Sequence, residues 1–159
     1  MRIIITGTPG VGKTSVARIL AKKLGLKYVG GKRLIEKFSE GYDNRLDAFI
    51  VDEKKLAREL AKEDNVVVDS HLSHFASPKK VDLCVVLRCE TGELIKRLEK
   101  RRYNAEKIRE NVQAEIMNVC GSEAFERKHL ILEINTTGKT LEQVASIVIE
   151  KIDFLYSKQ

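Results

Sequence analysis

Short apolar runs alternate with longer amphipathic segments along the 159-residue chain. The runs predict strands at residues 2–6, 26–29, 66–69, 82–88 and 129–134. Between them, apolar residues recur at helical spacing, first on a helix from Lys13 to Leu24 that ends at Gly25. This alternation is typical of a parallel sheet with helices on both faces. We therefore predict an α/β fold.

The remaining helices are predicted from their apolar stripes and end signals. Thr91 is a predicted N-cap, and Thr140 with Gln143 forms a predicted capping box. Residues 30–63 are polar and helical, with a flexible loop at residues 40–44 between two helices. The predicted stripes are Leu34, Ile35 and Phe38; Leu56, Ala57 and Leu60; Leu94, Ile95 and Leu98; Ile108, Val112, Ile116 and Val119; and Leu141, Val144, Ala145, Val148, Ile149 and Ile152.

The first strand leads into a glycine-rich loop with the sequence Gly-Thr-Pro-Gly-Val-Gly-Lys-Thr. Residues 7–14 match the pattern G-x-x-x-x-G-K-[ST], and they lie between a predicted strand and a predicted helix. Loop amides and the helix N-terminus then converge on one point, which suits a polyphosphate. Lys13 supplies a positive charge, and the Thr14 hydroxyl can ligate Mg²⁺. A glycine turn without a ligand is the alternative, but the context favours a bound nucleoside triphosphate.

Composition narrows the class of protein. Lys and Arg number 29 and Asp and Glu 23, a net charge of +6 that would steer anionic ligands or form a nucleic-acid surface. Cys84, Cys89 and Cys120 lack a metal-binding spacing and are expected to be buried in a reducing cytoplasm. No apolar run approaches the roughly 18 residues of a membrane span, and Met1 precedes the first strand without a leader. We predict a cytoplasmic protein without membrane contact.

Asp69 ends the third predicted strand, beside the phosphate loop in a doubly wound sheet. Its carboxylate could hold Mg²⁺ or orient an attacking hydroxyl, or it could simply cap the following turn. His71 could position water or act as an acid or base. His74 is predicted to be a surface histidine on a loop.

Arg97 and Arg101 are spaced i and i+4, so both can project from one helical face toward a phosphate group. A solvated cationic helix end would show the same spacing, and Arg88 is the next candidate. The loop at residues 135–139 lacks the N-K-x-D pattern of guanine recognition, which argues against a GTPase. This loop, which includes Lys139, could instead hold an adenine edge.

Four motifs together resemble those of the adenylate kinase isoenzyme 6 family, also called coilin-interacting nuclear ATPase, which has archaeal members. They are the phosphate loop, the G-Y-D segment at residues 41–43, V-D-x-H at residues 68–71, and R-L-x-x-R-x-Y-N at residues 97–104. The resemblance covers nearly the whole chain. Its further matches are Asp47, Asp52, Glu53, Asn111, Gln113 and Glu115.

The resemblance implies a nucleoside-monophosphate-kinase fold with a five-stranded parallel sheet. It implies one P-loop domain over residues 1–159, with a monophosphate-binding insertion at about 30–52 and a short lid at about 99–110. The implied activity is Mg²⁺-dependent transfer of the ATP γ-phosphoryl group to AMP, with ATPase activity beside it. The family acts in small ribosomal subunit maturation and rRNA processing, which implies an S11-type ribosomal protein as partner and possible contact with pre-ribosomal RNA.

The predicted site residues follow from the motifs and the resemblance together. The catalytic residues are Lys13, Asp69, His71 and Arg101, and the Mg²⁺ ligands are Thr14 and Asp69. The nucleotide-binding residues are Gly10, Val11, Gly12, Lys13, Thr14, Ser15, Arg97, Arg101 and Lys139. The alternative function is an ATP-driven ribosome assembly factor in which water is the main acceptor.

The chain departs from the family pattern at three places. The family usually has V-G-D-L after the second strand, whereas residues 29–34 read V-G-G-K-R-L, two residues shorter and without the Asp. Arg33 is the substitute available for positioning AMP. His74 stands where the family has an acidic residue, and Arg102 stands where the family lid usually has glycine.

Overall fold

The computed structural model describes residues 1–37, 39–44, 48–60 and 62–157. Phe38 and Asp47, named above, lie outside the described residues. The main sheet has five parallel strands in the order β2-β5-β1-β6-β7. Its strands are β1 (Arg2–Thr6), β2 (Lys27–Gly30), β5 (Val66–Asp69), β6 (Leu83–Arg88) and β7 (Ile131–Asn135). The predicted α/β fold with a parallel sheet is confirmed.

Helices cover both faces of this sheet, because alternate residues of each strand point to opposite faces. Ile3 and Ile5 of β1 pack with the core that includes residues of α1, α4 and α7, whereas Ile4 packs with Leu56 of α3 and Ala124 of α6. The helices are α1 (Lys13–Leu24), α2 (Gly31–Lys37), α3 (Glu53–Leu60), α4 (Thr91–Lys100), α5 (Ala105–Ile116), α6 (Val119–Glu126) and α7 (Leu141–Tyr156). Short 3₁₀ helices occupy Ser73–Phe75 and Pro78–Lys80.

One predicted loop is a strand. Ser39–Asp43 forms β3 and pairs in an antiparallel hairpin with β4 (Ala48–Val51), outside the main sheet, so the flexible loop predicted at residues 40–44 is wrong. The pattern missed the hairpin because its first strand is mostly polar, and a ribbon outside the core does not need an apolar face.

The apolar stripe predicted through Val119 is also wrong. Helix α5 ends at Ile116, whose side chain is 67% exposed, and Asn118 has a φ of 50° before α6 begins. A backbone at positive φ cannot continue a right-handed helix, so the apolar residues on either side lie on different faces. Leu141, predicted as core, is 44% exposed on the first turn of α7.

The predicted helix starts hold to within one residue, and most of the cysteine predictions hold. Thr140 and Gln143 form the predicted capping box at the start of α7. Glu90, rather than Thr91, is the N-cap residue of α4. Cys84 and Cys89 are buried free thiols as predicted, while Cys120 is partly exposed. Among the described residues, no helix is both long enough and apolar enough to cross a membrane.

Candidate functional site

The loop between β1 and α1 needs glycine for steric reasons. Gly7, Gly10 and Gly12 have φ values of 134°, 98° and 102°. A Cβ atom on Gly7 would lie 2.3 Å from the Leu87 carbonyl oxygen, and one on Gly10 would lie 2.9 Å from a methyl carbon of Leu94. The loop therefore packs directly against β6 and α4, and its exposed side is backbone, as a phosphate cradle requires.

Lys13 is the first residue of α1 and lies across this loop. Its Nζ donates hydrogen bonds to the carbonyl oxygens of Gly7, at 2.7 Å, and Thr8, at 2.9 Å. Burial in the cleft lowers the pKa of Lys13 to about 8, and the Asp69 carboxylate partly opposes that shift. The ammonium group is thus fixed at the loop, where phosphate oxygens would be its natural partners.

Asp69 ends β5 and is held through both carboxylate oxygens. The Thr14 hydroxyl donates to Oδ2 at 2.6 Å, and the Tyr28 hydroxyl donates to Oδ1 at 2.7 Å. Asp69 itself is only 6% exposed. Burial and the adjacent carboxylate raise the pKa of Tyr28, so its hydroxyl is a donor at neutral pH. Sequence reasoning missed Tyr28, and the available signal was a tyrosine two residues before a glycine on an adjacent strand.

Thr14 and Asp69 together fit a magnesium ion. Hydroxyl and carboxylate oxygens are the hard ligands that Mg²⁺ prefers, and the two side chains are in hydrogen-bond contact beside the phosphate loop. In the part of the chain that the structure describes, no group of three or more His, Cys, Asp or Glu side chains could hold a metal. This donor set therefore suits an ion that brings phosphate oxygens as its other ligands.

The structure separates the two histidines. His71 is exposed, and desolvation together with the nearby Lys13 charge lowers the pKa of His71 to about 4. His74 is fully buried, so its predicted place on the surface is wrong. Its Nε2 donates to Glu123 Oε2 and its Nδ1 accepts from the Thr6 hydroxyl, each at 2.7 Å. The 3₁₀ helix at Ser73–Phe75 turns this ring inward, which no local sequence signal indicated.

Glu115 on α5 joins three elements. Its buried carboxylate accepts hydrogen bonds from the Thr8 hydroxyl, from Arg88 Nε at 2.8 Å and from the Cys89 amide at 2.9 Å. Arg88 also donates to the Glu115 carbonyl at 2.7 Å. Arg88 is thus engaged in fixing α5 rather than turned to a phosphate. The resemblance matched Glu115 without a role, and the sequence offers no local signal for these contacts.

Arg97 contacts the phosphate loop, and Arg101 influences it through its charge. Arg97 Nη1 lies 3.4 Å from the Gly10 carbonyl oxygen, and its Nε donates to Glu93 at 3.0 Å. Arg101 is exposed, and its charge lies near enough to Lys13 to lower the pKa of that lysine.

The two remaining polar side chains predicted to bind nucleotide are exposed. Ser15 lies on the first turn of α1. Lys139 lies exposed in the loop after β7, where its amide donates to the Thr136 carbonyl.

A cleft of about 930 Å³ lies beside the phosphate loop and shares Thr14 and Asp69 with it. Residues of α1, β2, α2 and α3 line its other walls. Two of its lysines are paired, Lys27 with Glu63 at 2.8 Å and Lys37 with Glu59 at 3.5 Å. Its two arginines are Arg18 and Arg33, and neither forms an ion pair within the described part of the chain.

The chain is similar to known proteins over most of its length. A family model described as an AAA domain matches residues 3–118. A protein named putative adenylate kinase from Methanocaldococcus jannaschii is 38% identical over 158 residues, which cover 96% of this chain and 86% of that relative. Another of that name from Thermococcus gammatolerans is 43% identical over 155 residues, with 96% and 86% covered.

Solved structures show the same fold at low sequence identity. A shikimate kinase from Acinetobacter baumannii, in complex with shikimate, is 16% identical with a TM-score of 0.66, covering 99% of this chain and 94% of that one. A deoxyadenosine kinase from M. mycoides with bound dATP is 16% identical with a TM-score of 0.63, covering 96% and 100%. These likenesses show that the chain has the architecture of P-loop kinases.

Proposed function

Because the chain belongs to the family of these archaeal putative adenylate kinases, we propose that it transfers the γ-phosphoryl group of ATP to AMP. Its relatives and its fold support nucleotide kinase activity in general. AMP as acceptor, and membership of the isoenzyme 6 branch, are the finer parts of the proposal. The products are two molecules of ADP.

The observation that carries the proposal is the shared wall between two binding sites. Thr14 and Asp69 belong both to the surroundings of the phosphate loop and to the lining of the 930 Å³ cleft. A donor phosphate on the loop and an acceptor phosphate in the cleft would therefore meet at these two side chains. Arg18 and Arg33 line the acceptor side and supply positive charge for a monophosphate.

Phosphoryl transfer asks little covalent chemistry of the protein, so the proposed roles are positioning and charge stabilisation. The loop from Gly10 to Ser15 would hold the triphosphate, and Lys13 would hold its β and γ oxygens. Arg101, from a lid at residues 99–110, and Arg97, just before it, would close over the transferring group. Asp69 would orient the acceptor, which a monophosphate-binding segment at residues 30–52 would hold. Mg²⁺, held by Thr14 and Asp69, would neutralise charge on the phosphate oxygens.

The test measures ADP formation from ATP and Mg²⁺ with and without AMP. We expect AMP to stimulate ADP formation strongly and other nucleoside monophosphates to stimulate it less. Lys13→Ala should abolish the reaction, while Lys96→Ala, an exposed change on α4, should not alter it. An absence of AMP stimulation in the folded protein would overturn the kinase assignment.

A second candidate activity is ATP hydrolysis, which His71 favours. Its exposed imidazole lies close enough to Lys13 to feel that charge, and its lowered pKa keeps it neutral and able to position water. In this case His71→Ala would lower ADP formation without AMP and leave AMP-dependent transfer largely intact. Equal loss in both assays would assign His71 to a step common to the two reactions and remove the support for a separate ATPase.

A role in small ribosomal subunit maturation rests on the family resemblance alone, and a cytoplasmic location rests on the composition. Its proposed partner is an S11-type ribosomal protein, with pre-ribosomal RNA as a further contact. An assembly switch requires different affinities in different nucleotide states. Co-precipitation with the purified ribosomal protein should therefore change between ATP, ADP and no nucleotide. Equal capture in all three states would remove the switch.

A further inference from the structure

Tyr28 lies at the junction of the two proposed binding sites, and its hydroxyl contacts the carboxylate that they share. Its Oη donates to Asp69 Oδ1 at 2.7 Å, while Thr14 donates to Oδ2. Both oxygens of one nearly buried carboxylate are therefore oriented by hydroxyl donors from different elements. Thr14 belongs to the phosphate-binding motif, whereas nothing in the motifs or comparisons assigns a role to Tyr28.

The backbone of β2 is arranged so that Tyr28 can make this contact. In the parallel pairing of β2 with β5, Tyr28 stands opposite Val67 and Gly30 stands opposite Asp69. Residues i and i+2 share one face of a strand, so the tyrosine side chain must pass over Gly30 to reach Asp69. A Cβ atom on Gly30 would lie 2.8 Å from the tyrosine oxygen. The missing side chain at residue 30 makes the space that the hydroxyl occupies.

The ring also contacts an arginine. The guanidinium carbon of Arg18 lies 5.3 Å from the centroid of the Tyr28 ring, within the range of a cation–π contact. Arg18 comes from α1, the helix that carries Thr14. The tyrosine is therefore held between α1, β2 and β5, and its hydroxyl has one defined direction. A group held this firmly can fix the orientation of a neighbouring carboxylate.

We propose that Tyr28 is a positioning residue that holds Asp69 in the orientation needed to engage the magnesium ion of a bound nucleoside triphosphate. The proposal rests on the proposed nucleotide kinase function. By occupying Oδ1, the phenol leaves the Oδ2 edge, beside the Thr14 hydroxyl, to face the ion. Without the phenol, the carboxylate could rotate about its Cβ–Cγ bond and lose this alignment. Partners of metal ligands typically change metal affinity by 10–100-fold when removed.

The test measures the dissociation constant of a non-hydrolysable ATP analogue by calorimetry, in EDTA and across a series of Mg²⁺ concentrations. In the wild-type chain, Mg²⁺ should tighten binding of the analogue. Tyr28→Phe should bind the analogue as the wild type does in EDTA, but should need about tenfold more Mg²⁺ for half of the tightening. A purely structural role would instead weaken binding in EDTA and Mg²⁺ alike. The same Mg²⁺ dependence in both proteins would overturn the proposal.

Two further variants sharpen this test. Gly30→Ala should shift the Mg²⁺ dependence in the same direction, because the new methyl group displaces the hydroxyl, and its effect should shrink in the Tyr28→Phe background. Additive effects of the two changes would contradict the proposed route through the hydroxyl. Tyr156→Phe is the matched control, since its hydroxyl lies near Asp82 at the opposite end of β6 from the loop. It should leave the Mg²⁺ dependence unchanged.

The binding assay contains no AMP, so it separates this proposal from the kinase assignment. If AMP fails to stimulate ADP formation but Tyr28→Phe shifts the Mg²⁺ dependence, the acceptor assignment falls and the role of Tyr28 stands. If AMP stimulates the reaction and Tyr28→Phe leaves the Mg²⁺ dependence unchanged, the kinase assignment stands and the role of Tyr28 falls.

Discussion

The hydroxyl of Thr8 in the phosphate loop donates a hydrogen bond to the carboxylate of Glu115, which lies 107 residues later in the chain. Glu115 also accepts from Arg88 and from the Cys89 amide at the end of β6. One buried carboxylate therefore ties the nucleotide loop, the end of β6 and α5 together. The conformation of the loop depends on this contact as well as on its own glycines.

Replacing Glu115 with alanine should destabilise the protein and weaken ATP binding together. The change leaves Arg88 Nε and the buried Cys89 amide without their acceptor, although Arg88 keeps its bond to the residue 115 carbonyl, and it should cost about 3 kcal/mol of unfolding free energy. Thr8→Val removes one of the three hydrogen bonds and should cost about 1 kcal/mol. Urea unfolding and the KM for ATP measure the two effects. If Glu115→Ala left the KM unchanged, the carboxylate would stabilise the fold without shaping the loop.

Arg101 is expected to act on the reaction rather than on stability. Its side chain is exposed, and its charge reaches Lys13 at the phosphate loop. Arg101→Ala should lower kcat by about 100-fold, because a guanidinium that neutralises a transferring phosphoryl group contributes at least that much. The melting temperature should change little. The matched variant Lys96→Ala removes an exposed charge from the same helix, and a comparable loss of kcat there would indicate a general effect of charge.

Arg18 and Arg33 are expected to set the affinity for the acceptor nucleotide. Each lines the 930 Å³ cleft and has no ion pair among the described residues. Arg33→Ala should raise the KM for AMP by about tenfold, because a charge-assisted hydrogen bond contributes roughly 1.5–3 kcal/mol. The KM for ATP should stay the same. Lys27→Ala, which removes a cation already paired with Glu63, should have a smaller effect, and the reverse order would contradict the proposed acceptor site.

Stability should fall on mild acidification because of the two buried histidines. Burial, with Arg127 and His129 nearby, lowers the pKa of His74 to about 4, and burial also lowers the pKa of His129. The charged groups that face this pair are Glu123, Arg127 and His71. The folded state binds fewer protons than the unfolded state between these pKa values and 6.5. The contribution of these two histidines to stability is therefore fully present above pH 6.5 and declines as the pH falls toward 4.

The His74 contribution can be isolated with His74→Gln. The lowering of the His74 pKa from 6.5 to about 4 corresponds to about 3 kcal/mol of stability, which is lost once the pH is below the pKa of the folded state. The variant should be less stable at pH 7.5, because the contacts with Thr6 and Glu123 are weakened, yet its unfolding free energy should change less between pH 7 and 5. Urea titrations at several pH values measure this slope, and an unchanged slope would show that His74 titrates normally.

Arg102→Gly is expected to stabilise the protein. Arg102 has a φ of 57° in the turn between α4 and α5, and the family resemblance places glycine there. A side chain in this region costs about 1 kcal/mol relative to glycine, part of which the greater entropy of unfolded glycine offsets. A rise in melting temperature of a few degrees would check this, with Arg102→Lys unchanged. A decrease in Arg102→Gly would indicate that the guanidinium itself stabilises the turn.

Local patterns predicted the main sheet and the motif residues of the site. The runs that form most of β1, β5 and β6 are apolar because both faces of those strands are buried. Asp69 ends β5, and Lys13 and Thr14 follow β1 across the glycine-rich loop. The contacts of His74 and Glu115 depend on segments that meet only after folding, so no window of sequence could indicate them, whereas Tyr28 had one local signal, its position two residues before Gly30. The sequence pattern did not predict the hairpin of β3 and β4 for a different reason, which is that much of its surface is polar.

The strand order has a consequence for how the chain folds during its synthesis. β1 and β2 are not neighbours in the sheet, because β5 lies between them and is the earliest strand in the chain with which either can pair. A nascent chain that has emerged only as far as residue 64 can therefore form α1 and the β3–β4 hairpin, but not one hydrogen bond of the main sheet. The glycine loop leaves the ribosome among the first residues, yet it gains its supports only when β5, β6 and finally α5 follow.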